Sequence, residues 1–232
     1  MPNPALVKSY PQAYIGMGET AENVGKKYGI TRVAQEEFAL KSHQKAAAAA
    51  AAGKFKDEIV AIGDVASDGC IRPETTMEAM ATLKPAFDTA GTVTAATSSP
   101  VTDGAAVTLV CSAEFAKKHG LKPMAKIRGM AVSGCAADIM GMGPVGASQK
   151  ALDRAGLKLS DMDIIELNEA FAAQSLGVIT EMKAPLEKIN LDGGAIALGH
   201  PLGASGARIT AKAASLLQRE KKKYALATMC IG

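Results

Sequence analysis

The chain has 232 residues, with 26 Lys and Arg against 23 Asp and Glu, and four cysteines. That length can bury a substantial core, as one large domain or two small ones. An apolar share of 48% excludes a disordered chain. A formal charge of +3, with the bases interspersed among acids, excludes a nucleic-acid platform, which needs a clustered basic face. The absence of Trp and an aromatic share of 4% exclude a base-stacking surface.

No apolar run reaches the roughly 18–20 residues that span a bilayer. The opening MPNPALVKSYPQAY has neither a basic n-region nor an apolar h-region, so no secretory signal is expected. Cys70, Cys111, Cys135 and Cys230 form no C-x-x-C pair, so neither a zinc cage nor any other metal site is expected. Reduced thiols in a cytoplasmic protein follow from that reading.

In chain order, residues 18–55 read as helical. Thr31 is a candidate N-cap, and the run Ala46–Ala52 packs closely on a neighbour before Gly53 ends it. FKDEIVAI reads as a strand and ASDGCIRPETT as a loop. TMEAMATLKPAF starts as a short helix. AAVTLVCS is compatible with a helix or a strand, and SAEFAKKHG is a capped helix ended by Gly120. AKIRGMAVSG reads as a strand. GPVGASQKALDRAG is a helix with Pro144 at its start and Gly156 at its end. DIIEL is an apolar strand, NEAFAAQSLGVITEM a helix, SGARITAKAASLLQREKKK a helix, and YALATMC a buried strand. Strands alternating with helices imply an α/β layered fold. The chain stops just after that strand, at Gly232, where domains more often end in polar sequence.

Four segments are candidates for chemistry. Gly141-Met-Gly-Pro-Val-Gly146 fits G-x-G-x-x-G before a helix, but CAADIM separates it from the preceding strand, so a helix-entry turn competes with cofactor binding. Residues 190–208, NLDGGAIALGHPLGASGAR, hold five glycines around His200. Pro201 biases His200 toward extended backbone, and Ser205 is placed to cap the next helix. An uncovered imidazole on such a loop suits a general base. Asn168-Glu169-Ala170-Phe171 follows a strand end, where α/β sites collect, and competes with a plain helix cap. Cys230, near the terminal glycine, is a thiol that can act as acid or base.

Together these segments resemble the thiolase family, the acetyl-CoA acetyltransferases and 3-ketoacyl-CoA thiolases, from about Gly16 to Gly232. The specific motifs are NEAF at 168–171, GGAIALGHPLGASGAR at 193–208 and ATMCIG at 227–232. Weaker matches are GMGETAENV at 16–24, LKPAFDTAGTVTA at 83–95, SSPVTDGAA at 98–106 and GMGPVGASQKAL at 141–152. The resemblance implies a layered α-β-α fold with a CoA-binding loop domain over 1–101, a returning segment over 102–123 and a C-terminal thiolase domain over 124–232. It implies acyl transfer between acyl-CoA and acetyl-CoA or CoA, with CoA thioesters as substrates and no further cofactor. His200 would activate the nucleophilic thiol and help bind the thioester oxygen, and Asn168 would position a water there. Cys230 would move the second substrate's proton, and the Gly232 N–H would join a second oxyanion hole. Met17, Arg72, Phe87, Ala95, Ser99, Ala170 and Phe171 would contact CoA.

Two departures follow from the same resemblance. The family's nucleophilic cysteine lies in an N-terminal half ahead of where this chain begins, and members continue past C-x-G with one more strand. The chain is therefore expected to be inactive alone and to need that missing half of the same enzyme. A homo-oligomer is expected when full length. Gly16 beside Met17 and the pair Ser98-Ser99 tilt the reading toward the degradative branch. The alternatives are a CoA-binding remnant without catalysis and a nucleotide-binding oxidoreductase built on GMGPVG.

Overall fold

A computed structural model describes residues 2–231. Its first half is helical. Helix α1 (Pro4–Ser9) is a short exposed turn capped by Asn3. Helix α2 (Met17–Tyr28) opens where the Glu19 carboxylate accepts the Gly16 N–H at 2.7 Å. It closes at Gly29, which is left-handed at φ 64°. The helical span expected over 18–55 is made of two helices. Thr31 caps the second, α3 (Arg32–Ala51), by accepting the Ala34 N–H at 3.2 Å. Ala39, Ala46 and Ala49 are fully buried and let α3 lie close against the helices behind it. Helices α4 (Met77–Ala81) and α5 (Ala113–Lys118) are each capped by the hydroxyl before them, Thr76 and Ser112.

The second half carries the sheet. Helix α6 (Gly143–Ala155) starts with Pro144 and stops at left-handed Gly156, as expected. Strand β1 (Ile164–Leu167) pairs in parallel with β2 (Ala225–Thr228), Ile164 opposite Ala225 and Leu167 opposite Thr228. Between them run α7 (Ala172–Met182), α8 (Ala195–Leu198) and α9 (Leu202–Arg219). β1 is buried along its whole length. Ile165, Leu167, Val178, Ile189 and Leu226 join Val24 from α2 in the main core. Each such side chain stabilises by about 1.5–3 kcal/mol on burial.

Several expected strands do not form. FKDEIVAI is a set of turns: Phe55 tucks under the Lys212 ammonium, 4.7 Å from ring centre to Nζ, while Val60 and Ile62 stay exposed. AAVTLVCS and AKIRGMAVSG follow an irregular, exposed path, with Val107 95% and Val132 87% accessible. Alternating apolar residues make a strand only where a partner supplies the ladder, and among the described residues none does. The NEAF segment is also not helical, since α7 begins after Phe171. GMGPVG follows a short 3-10 turn (Ala137–Met142), not a strand. A Cβ on Gly141 would strike the Gln174 side chain and one on Gly146 the Ser133 side chain, so these glycines serve close packing.

Candidate active site

Parallel pairing aligns the carboxyl ends of β1 and β2. The Asn168 N–H donates to the Thr228 carbonyl at 3.0 Å, which sets Asn168 beside the segment leading to Cys230. Asn168 is fully buried, and its Oδ1 has no hydrogen-bond partner. Its Nδ2 faces His200 Nε2 at 3.4 Å.

His200 arrives on the glycine-rich loop. Gly199 is at φ 95°, and a Cβ there would collide with Thr102, so the chain can turn into His200 only with glycine. Ser205, expected as a helix cap, does something else. α9 starts at Leu202 with Pro201 at its N-cap position and no side-chain cap, and the Ser205 hydroxyl lies 2.6 Å from His200 Nδ1. Burial lowers the His200 pKa below the usual imidazole value, and the Arg208 guanidinium lowers it further. The ring is therefore neutral at pH 7 and has a nitrogen lone pair to offer.

Cys230 sits two residues past β2 and is buried. Burial pushes its thiol up to about 11, against a backbone hydrogen bond that favours the thiolate. At neutral pH it is a protonated S–H donor. Gly232, the expected second oxyanion donor, lies outside the described residues. Cys111 and Cys135 are exposed and Cys70 half-buried. Among the described residues no cysteine hydrogen-bonds to His200.

A buried polar frame holds the loop. The Glu169 carboxylate accepts from Ser42 Oγ at 2.6 Å, Asn190 Nδ2 at 2.8 Å and the Ile196 N–H at 3.2 Å. A Cβ on Gly194 would overlap that carboxylate, so only glycine fits there. Burial raises the Glu169 pKa, opposed by the hydrogen bonds from Ser42, Asn190 and Ile196. Asp192 is fully buried and takes both Arg219 nitrogens, at 2.6 and 2.9 Å, and Lys212 at 2.7 Å. Burial works against its charge, but the hydrogen bonds from Arg219 and Lys212 outweigh it and hold the carboxyl at about 2. Glu166, inside β1, has no such frame. Burial raises its carboxyl to about 8, despite the nearby Arg208 and Lys212 charges, and its Oε1 is unpartnered.

The expected CoA contacts divide. Phe87 meets Phe171 edge to face at 5.7 Å between ring centres. The Ser99 N–H donates to the Ala170 carbonyl at 3.0 Å, and Ser98 bridges Phe171. Ala95 starts the short 3-10 turn leading to Ser98. Gly18, next to Met17, lies so close to the Phe87 ring that any side chain there would strike it. These contacts join Phe87, Phe171, Ser98, Ser99 and Ala170, two residues on from Asn168. Arg72 is held differently: its N–H donates to His43 Nδ1 at 3.2 Å, and its side chain is exposed. Ser42, Asn190 and Asp192 were not anticipated. The sequence signal for Asp192 and Asn190 was their place in NLDGG, before the glycines, whereas Ser42 lies more than a hundred residues from its partner and leaves no local trace.

Among the described residues no group of His, Cys, Asp and Glu is arranged to hold a metal ion, and no helix is long and apolar enough to cross a membrane.

The thiolase N-terminal domain family matches residues 3–114, and the thiolase C-terminal domain family matches residues 121–232. The 3-ketoacyl-CoA thiolase of Idiomarina loihiensis is 52% identical over 243 residues, covering 99% of this chain and 63% of that protein. That of Shewanella loihica is 54% identical over the same shares. The acetyl-CoA acetyltransferase of Bacillus anthracis superposes with a TM-score of 0.90 at 42% identity, over 94% of this chain and 58% of the other. Human mitochondrial 3-ketoacyl-CoA thiolase in complex with CoA superposes with a TM-score of 0.87 at 43% identity, over 93% and 56%. The chain thus spans about 63% of the length of the curated relatives it matches. The chain belongs to the thiolase family.

Proposed function

We propose that this chain supplies the base, oxyanion and CoA-wall portion of a thiolase-type acyl-transfer site, acting on 3-ketoacyl-CoA and CoA or, in reverse, on two acetyl-CoA molecules. The observation that carries the reading is the half-buried contact between Asn168 Nδ2 and neutral His200 Nε2, at the carboxyl end of β1. A neutral imidazole takes a proton from an attacking thiol and, once charged, offers that N–H to a thioester oxygen. Asn168 adds an amide beside the same point, and its free Oδ1 can orient a water. In cleavage the Cys230 S–H gives its proton to the leaving carbanion and is left as the thiolate; in condensation that thiolate takes the proton back from acetyl-CoA. The wall of Phe87, Phe171, Ala95, Ser99, Ala170 and Met17 suits a pantetheine arm, whose amides can pair with the backbone there. Arg72, exposed and cationic, suits the nucleotide end.

In this reading the acyl-carrying thiol comes from residues beyond these 232, because none of the other three cysteines is bonded to His200. The division at 1–101, 102–123 and 124–232, and assembly into oligomers, belong to the same proposal. A titration calorimeter with acetyl-CoA and with NAD(H) tests the binding part. Saturable heat with acetyl-CoA alone supports it. No acetyl-CoA heat from a folded sample removes it, and binding of NAD(H) that is lost in Gly143→Arg would favour a dinucleotide site at GMGPVG. A spectrophotometric assay with acetoacetyl-CoA and CoA tests the rest. The expected rate for the isolated chain is zero, and measurable cleavage would show that one of its own cysteines carries the acyl group.

A further inference from the structure

We propose that Ser205 is a positioning residue: its hydroxyl fixes His200 as the Nδ1–H tautomer and leaves Nε2 as the basic nitrogen, aimed at Asn168. The purpose of this device rests on the acyl-transfer reading, but its geometry does not.

The hydroxyl of Ser205 has one proton and two acceptor sites. Its Oγ lies 3.1 Å from the Pro201 carbonyl, one helical turn back, in the position to donate. That carbonyl also takes the Ala204 and Ser205 N–H groups, at 2.8 and 2.9 Å, at the start of α9. With that proton assigned to the Pro201 carbonyl, Oγ meets His200 Nδ1 at 2.6 Å with a lone pair. Two lone pairs at that distance repel, so Nδ1 carries the hydrogen. The other side of the ring imposes the same answer. Asn168 presents its NH2 group to Nε2 at 3.4 Å, and a donor there requires an acceptor nitrogen. Both neighbours therefore favour one tautomer. Ser205 is fully buried, which leaves water little room to substitute for its hydroxyl.

The placement comes from the helix itself. Ser205 lies in the first turn and a half of α9, where side chains lean toward the N-terminus, back toward His200. The consequence for proton transfer is direct. When a thiol S–H gives its proton to Nε2, the S–H bond breaks and an N–H bond forms. The resulting imidazolium keeps Nδ1–H on Ser205 and points the new Nε2–H outward, with no ring flip. Without the hydroxyl, the ring can place its proton on Nε2, where it blocks that step.

Nitrogen-15 NMR of the full 232-residue chain, labelled at histidine, reads the tautomer without any substrate. There are three histidines, and His43→Gln and His119→Gln variants identify the His200 signals. The expected wild-type spectrum at pH 7.5 to 8 (the ring neutral) has a protonated, pyrrole-like Nδ1 and an unprotonated, pyridine-like Nε2. In Ser205→Ala, with Asn168 Nδ2 still facing Nε2, the Nδ1–H form is expected to fall and an Nε2–H form to appear as a second population. Ser205→Thr, which keeps the hydroxyl, is expected to restore the wild-type pattern. A wild-type ring protonated on Nε2 overturns the proposal, as does a folded Ser205→Ala that keeps Nδ1–H as its sole form. Since the wild-type spectrum is decisive by itself, a misfolded variant does not rescue the idea. Loss of acetyl-CoA binding would end the acyl-transfer reading and leave the tautomer assignment standing.

Discussion

Two regions of the chain, both rich in β-branched and apolar residues, fold to opposite ends. Residues 164–230 hold both strands, three helices and the buried polar frame, and β1 has no accessible face. Residues 101–135 contain AAVTLVCS and AKIRGMAVSG, with comparable alternation, yet they run as irregular chain with Val107, Met130 and Val132 exposed. The difference is the partner. β1 finds β2 along its edge and α9 over its face, so each Ile and Leu leaves water and each backbone group is paired. The second region touches α6 at Gly129 and Met130 but finds no strand along its edge among the described residues. Apolar alternation is a statement about what a segment can bury, and a strand exists only when another segment completes it.

That contrast can be broken from the ordered side. Asp192→Ala should have the largest effect, since it leaves Lys212 and Arg219 around an empty, buried position. Removing one partner of a buried charge cluster costs about 3–5 kcal/mol. Urea denaturation should show a lower midpoint with an unchanged slope if the rest of the fold survives. Glu169→Ala comes next. It strands Ser42 Oγ, Asn190 Nδ2 and the Ile196 N–H in a dry interior, for about 3 kcal/mol in all. It should also free the 193–199 loop, which amide hydrogen exchange would report as faster exchange at Ala195–Leu198.

A pH series sharpens the picture. Glu166 has a folded-state carboxyl at about 8 against an ordinary 4.5, so the folded chain holds the proton more tightly than the unfolded one. Its contribution is fully present below about 4.5 and is lost as pH rises through about 8. Wild-type stability should therefore fall between pH 5 and 8 relative to Glu166→Gln, which has no proton to lose. Parallel stability curves for the two proteins would contradict the placement of Glu166. His200 acts in the opposite sense. Its pKa is lowered by burial, so the stability it contributes is present above 6.5 and declines as acid forces a charge onto the ring. The smallest effect is expected on the irregular, exposed side of the comparison. Val132→Ser, at a side chain already in water, should change the unfolding free energy by no more than about 0.5 kcal/mol.

The same contrast separates what could be read beforehand from what could not. Caps and stops were legible because they are local: Thr31, Ser112, Pro144 and Gly156 act within four residues of themselves. Asn168, His200 and Cys230 were expected together from the specific motifs around them; the structure puts Asn168 Nδ2 3.4 Å from His200 Nε2, and β1–β2 pairing sets Asn168 beside the segment leading to Cys230. AKIRGMAVSG, expected as a strand, and AAVTLVCS, open to helix or strand, are irregular instead, because the local pattern carries no information about which partner would complete it. Helical periodicity hid the break at Gly29, since apolar spacing continues on both sides of it. Ser205 was taken for a cap because its type and position suit one, and only the fold reveals that its hydroxyl faces His200. Ser42 and Glu169 meet across more than a hundred residues, a pairing that sequence order conceals.

The most direct test of the central claim, that residues 168–230 and the Phe87–Phe171 wall make half of an acyl-CoA site, is calorimetric titration of the folded chain with acetyl-CoA. The account predicts saturable binding that Phe171→Ala weakens by about tenfold, equivalent to about 1.4 kcal/mol for one aromatic contact, and that Val132→Ser leaves unchanged. No heat from a folded sample, or equal affinity in wild type and Phe171→Ala, would contradict it.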